Sequence, residues 1–103
     1  MFRKNSSVSD PFAARTHFPL REIAGRWISL DGSPEVRIVF TGTRYRLEFS
    51  YDTSTVFTCP IRQQWGVTCF YLYGRIGLAY DREREVLVLS AYGEYVRAED
   101  AAE

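Results

Sequence analysis

Few side chains in this sequence have the type and spacing that chemistry needs. Cys59 and Cys69 lie symmetrically about Gln64. On a hairpin over Ile61–Val67 they could face each other as a redox pair or as half of a metal site. A metal site needs more ligands, and the chain has one histidine, His17. Two small core residues with free thiols is the preferred reading. A general base must be held beside an acid or a nucleophile. His17 has no serine or aspartate at a telling spacing and is expected at the surface. Glycine-rich phosphate loops, paired catalytic carboxylates and nucleophile elbows are absent. The chain is therefore read as no enzyme, with no cofactor and no metal.

Rings and charges make the other candidates. Arg44-Tyr45-Arg46 and Tyr71-Leu72-Tyr73-Gly74-Arg75 resemble a platform on which rings stack bases and arginines hold phosphates. Strand alternation argues against it: with Arg44 and Arg46 outside, Tyr45 lies inside, and Glu48 joins the arginine face. Nucleic acid is not expected, and the formal net charge of +0 agrees, because phosphate binders carry a basic excess. Arginine outnumbers lysine by 12 to 1, which suits fixed ion pairs and interfaces. The tyrosine hydroxyls need partners where buried. Tyr51, Tyr71, Tyr73 and Tyr80 are the candidates for a shallow pocket at an open barrel end, taking a small apolar ligand with a polar group.

These side chains must be positioned by strands. From Gly25 onward the polarity repeats every two residues. In Tyr45–Tyr51 the odd positions are apolar and the even ones polar, which is a strand with one dry face. Turn clusters at Asp31-Gly32-Ser33-Pro34, Thr41-Gly42-Thr43, Asp52-Thr53-Ser54, Trp65-Gly66, Tyr73-Gly74, Asp81–Arg84 and Ala91-Tyr92-Gly93 separate the runs. The expected strands are 25–30, 35–41, 44–51, 55–60, 67–73, 76–81, 85–90 and 94–98. The fold class is all-β: a short, mostly antiparallel barrel of about eight strands, with an open sandwich or a smaller Greek-key barrel as the alternative, because strand order is not written in one chain. Before it, Pro19–Gly25 reads as a short helical turn, with proline first and glycine past the end. Asp10-Pro11 is a second candidate helix start. Residues 1–18 are expected to form a flexible or docking segment, and residues 19–103 a single barrel domain.

The chain has 103 residues, 46% of them hydrophobic and 25% charged, which fits one globular domain. No apolar run is long enough to cross a bilayer as a helix, and the N-terminus is not patterned as a secretory signal. A cytoplasmic protein without membrane contact is the expectation.

Val67–Tyr73 and Val86–Leu89 are apolar on both faces. With Trp27, Ile38, Phe40, Tyr45, Phe49, Tyr71, Tyr73 and Tyr80 taken as inward, Phe70, Leu72, Leu87 and Leu89 fall on an outer apolar face. Such a patch needs a cover: the N-terminal segment with Phe12, Phe18 and Leu20, a second copy of the chain, or a protein partner.

At Gly25-Arg26-Trp27 the chain resembles the Gly-x-Trp motif of lipocalin-like, calycin-type barrels, and over residues 19–98 it is similar to small lipocalin-like domains of unknown function from gut-bacterial conjugative elements. The resemblance implies a helical turn closing one end of the barrel, here Leu20–Ala24, and a basic residue from the last strand over the tryptophan, here Arg97. Gly25, Trp27 and Arg97 are thus structural candidates. The strands are shorter than in full-length lipocalins and the inward set is bulky, so a filled interior is expected in place of the family's ligand cup. The reading is a non-catalytic binding or accessory module acting through its apolar outer face, with a small-ligand carrier as the alternative.

Overall fold

The computed structural model describes residues 15–98. Nine strands form one sheet: β1 (Gly25–Ser29), β2 (Glu35–Phe40), β3 (Tyr45–Ser50), β4 (Val56–Pro60), β5 (Arg62–Gln64), β6 (Val67–Tyr71), β7 (Arg75–Asp81), β8 (Val86–Leu89) and β9 (Gly93–Arg97). Their order is β4-β3-β2-β1-β9-β8-β7-β6-β5, and every pair is antiparallel. Chain neighbours are sheet neighbours, and β1 joins the two halves by pairing with both β2 and β9.

The two ends of this order are one piece of chain. β4 pairs with β3 as far as Arg46↔Pro60, and the Ile61 N–H still donates to the Tyr45 carbonyl at 3.1 Å. From Arg62 the same strand pairs with β6. The bend at Pro60–Ile61 nearly closes the sheet into a barrel. Eight of the strands match the sequence expectation, and β5 is the part that was not foreseen: three polar residues, Arg-Gln-Gln, show no apolar period.

A 3-10 turn over Leu20–Ile23 precedes β1 and places Ile23 in the core. Among the described residues no helix is long and apolar enough to cross a membrane. The Asp10-Pro11 helix start lies outside the described residues.

The interior is lined with rings and aliphatic chains. Trp27, Ile38, Leu47, Phe49, Phe70, Leu78, Leu87, Leu89 and Tyr95 are essentially inaccessible to water. This corrects the facing of the later strands. Phe70, Leu87 and Leu89 point inward and Leu72 is buried with them, so no outer apolar face is formed by the four. Tyr71 and Tyr73, expected inside, are 56% and 87% exposed. The cause in β8 is one residue of turn. The expected strands 76–81 and 85–90 leave a three-residue connection over 82–84, whereas Asp81 pairs with Val86, so the connection is the four residues Arg82–Glu85. Asp81 accepts from the N–H groups of Glu83 and Arg84, and Glu85 follows at φ 55°. A slip of one residue moves every side chain to the other face, which sets Leu87 opposite Tyr80. Phe40, also expected inside, ends β2 at the barrel rim and is exposed, with its ring 4.9 Å from that of half-buried Tyr45.

Candidate functional site

One end of the barrel is sealed by the residues around Trp27. The 3-10 turn leaves carbonyls without helical partners, and side chains take them up. The Trp27 indole N–H donates to the Ile23 carbonyl at 2.8 Å. The Arg97 guanidinium donates to the Ala24 carbonyl at 2.7 Å and to the Glu22 carbonyl, and lies 4.4 Å over the Trp27 ring. Gly25 has φ 122°, and a Cβ there would stand 3.2 Å from Arg97 Nη1. Glycine at this position therefore serves both the backbone turn and the approach of the arginine.

The segment before the turn closes the same end. Arg15 and Tyr80 exchange two main-chain hydrogen bonds, each 2.8 Å. Thr68 Oγ1 donates to the Thr16 carbonyl, and the Gln63 amide donates to the Phe18 carbonyl and to Thr68 Oγ1. Phe18 is buried, with its ring 5.7 Å from Tyr80. The residues just before position 19 thus belong to the barrel's own packing. Neighbouring His17 is exposed.

The four candidate tyrosines are not brought together. Tyr80 lies in the sealed end against Trp27, ring centroids 6.1 Å apart. Tyr71 is on the outside of β6. Tyr51 and Tyr73 meet at the opposite, open end, where Phe57 lies between them at 5.5 and 6.0 Å. Phe49 and Tyr92 extend this row of rings inward. Burial raises the Tyr92 hydroxyl pKa above its ordinary value, with Tyr51 adding to it. Burial pushes Tyr95 up to about 12, while its hydroxyl donates to the Pro34 carbonyl at 2.8 Å. The Tyr95 hydroxyl is thus satisfied within the fold.

Cys59 and Cys69 are free and buried. Cys59 pairs with Leu47 and joins the core cluster, whereas Cys69 pairs with Arg62 and Gly77 on the outward side. The two do not face each other, and burial raises the Cys59 thiol pKa. Among the described residues no three of the His, Cys, Asp and Glu side chains cluster as a metal site would require.

The geometry that sequence reasoning missed lies on the outside, along the seam between β4 and β6. Pro60, Arg62, Gln64 and Tyr71 line a groove of about 370 Å³. Arg46 stands opposite Pro60 in register, and Arg75 opposite Tyr71. Trp65, at the tip of the β5–β6 hairpin, is 94% exposed with φ 56°. Between Thr53 and Tyr80 the sequence holds two arginines and no Asp or Glu.

A protein-family profile matches residues 13–97, and its description reads "Domain of unknown function, B. Theta Gene description (DUF3876)". The chain belongs to this family. No curated protein and no solved structure matches it. In this DUF3876 domain the seam residues had a sequence signal of their own. The carboxylate-free stretch from Thr53 to Tyr80 stands out in a chain that is neutral as a whole. Rings and arginines also share this surface, because Tyr71 and Tyr73 face out.

Proposed function

We propose that this domain is a lipocalin-like barrel working as a non-catalytic binding module, and that its binding surface is the outer wall along β4–β6. The observation that carries the reading is the exposure of Trp65, Tyr71 and Tyr73 beside Arg62 and Arg75, on a wall without carboxylates. Tryptophan, tyrosine and arginine are the residues that dominate binding energy at protein interfaces. The tryptophan–arginine stack over a sealed end supports the lipocalin-like reading, and the ring-filled interior argues for work done on the outside. Affinity isolation from the native cell compares wild type with Arg62→Glu/Tyr71→Ala. The reading expects specific partners to be lost with the double variant at unchanged thermal stability. The same partners recovered by both would end it.

A small-ligand carrier is the second reading. The row Tyr51, Phe57 and Tyr73 at the open end favours it. A thermal-shift screen with fatty acids, haem and aromatic metabolites tests it. A saturable shift abolished by Tyr51→Ala supports the carrier, and uniform silence removes it.

A further inference from the structure

The seam holds more than exposed side chains. It holds the barrel's unpaired edge. Thr55 and Ile61 make main-chain bonds toward β3, and in an antiparallel strand the pairing direction alternates residue by residue. The main-chain groups of Val56 and Thr58 therefore point away from β3. Among the described residues no strand pairs with them there. Extending the β5–β6 register of Arg62↔Cys69 sets Pro60 level with Tyr71 and Thr58 level with Tyr73. β6 has ended by that level, so no described strand reaches Val56. Pro60, which has no N–H, blunts only the lower end of this edge. Below it the groove of Pro60, Arg62, Gln64 and Tyr71 continues along the outside.

Charge says what fits. Arg46, Arg62 and Arg75 make no ion pair among the described residues, while Glu48, the carboxylate beside Thr58 in register, is already engaged with Arg37. An occupant that answers both an open strand edge and unpaired guanidinium groups is extended backbone carrying carboxylates. We propose that this edge and groove bind an extended acidic peptide segment of a partner protein, which adds to β4 at Val56–Thr58 and runs down past Pro60 and Tyr71. The inference rests on the outer wall being the binding surface and names what binds there. Strand addition supplies main-chain bonds for affinity and alternate side-chain contacts for specificity. Single-stranded nucleic acid would use the same arginines and rings, but it could not satisfy the alternating donors and acceptors of the edge.

Fluorescence anisotropy tests the inference on the full chain, with a labelled peptide alternating valine and glutamate as probe. Three competitors accompany it: the lysine counterpart, the same acidic peptide N-methylated at alternate residues, and an oligothymidylate. The acidic peptide is expected to bind, and the lysine and N-methylated forms to bind at least about tenfold more weakly. Arg62→Glu/Arg75→Glu is expected to weaken the acidic peptide by a similar factor, and Arg21→Glu, at the sealed end, to leave it unchanged. All these side chains are exposed, and a thermal melt confirms folding. Absence of binding by the acidic peptide overturns the inference, as does equal binding of the N-methylated form or tighter binding of the oligothymidylate. If the peptide fails while cellular partners still depend on Arg62 and Tyr71, the peptide inference falls and the binding surface stands. If those partners are also indifferent to the double variant, both fall.

Discussion

Arg97 does three things at once, and its removal separates them from simple packing. It donates to the carbonyls of Glu22 in the 3-10 turn and of Ala24 just past it, and stacks on Trp27. Charged hydrogen bonds and a partly desolvated cation over an indole are together worth about 3 kcal/mol. Arg97→Met keeps the apolar stem and should lose that amount in urea unfolding. Arg97→Lys should recover less than half of the loss, because an ammonium cannot present a flat fork to two carbonyls. Asp81 makes a second residue-scale case. The hydrogen bond from Arg84 holds its carboxyl pKa below the ordinary value, and the N–H groups of Glu83 and Arg84 add to this. A depressed folded pKa contributes stability that is fully present above the unfolded value, about 3.9, and is lost as pH falls through the folded value. Asp81→Asn should therefore cost about 2 kcal/mol at neutral pH. The gap between wild type and variant should begin to close below about pH 4. Urea midpoints taken across acid pH check this, and a gap that is independent of pH would assign the cost to lost packing.

At the scale of elements, the sequence was legible where one face of a strand is polar and illegible where neither is. β2 and β3 alternate cleanly, so Ile38 and Phe49 were placed correctly from pattern alone. β6 and β8 carry apolar residues at both parities, and there the facing depends on turn length, which the sequence does not print. The expected strands 76–81 and 85–90 make the turn between them one residue too short, and that difference alone exchanges Leu87 and Leu89 between core and surface. Tyr71 and Tyr73 were misplaced for a related reason: a ring with a polar tip suits either side, whereas Phe70 and Leu72 have only the inside. The β5–β6 hairpin shows an element keeping a residue its local geometry disfavours. Trp65 at φ 56° and Gly66 at φ 75° form the left-handed pair of a two-residue turn, for which Asn-Gly is the favoured sequence. A non-glycine residue other than asparagine or aspartate in that conformation costs about 1 kcal/mol. Trp65→Asn should thus stabilise the domain by about 0.5–1 kcal/mol in urea, while weakening partner capture if Trp65 belongs to the binding wall. A variant that is less stable would mean that the ring packs on the barrel.

For the whole molecule, the question is how a barrel closed by a single bent strand avoids pairing with itself. Closure at Pro60–Ile61 hides most main-chain edges, which is what barrels do for β-proteins generally. The remainder, Val56 to Pro60 above the seam, is short and is ended by a residue without a donor. Short length, proline and nearby positive charge are the devices by which natural sheets discourage edge-to-edge contact. Arg46, Arg62 and Arg75 would face their own copies across any symmetric pairing of two seams, so like charge adds to the barrier. The same arrangement that repels a second copy admits a strand of opposite charge. Pro60→Val separates these contributions. It keeps a β-compatible side chain at an exposed position and supplies the missing N–H, so the fold should hold within about 1 kcal/mol. The free edge then gains a donor level with Tyr71. Light scattering over a concentration series should show self-association for Pro60→Val that is absent from wild type. The association should strengthen with salt as repulsion between the arginines is screened. A variant that stays at the mass of the wild type at every concentration and ionic strength would mean that geometry rather than proline guards the seam. The arginines would then remain the only feature of the wall selecting what may pair with it.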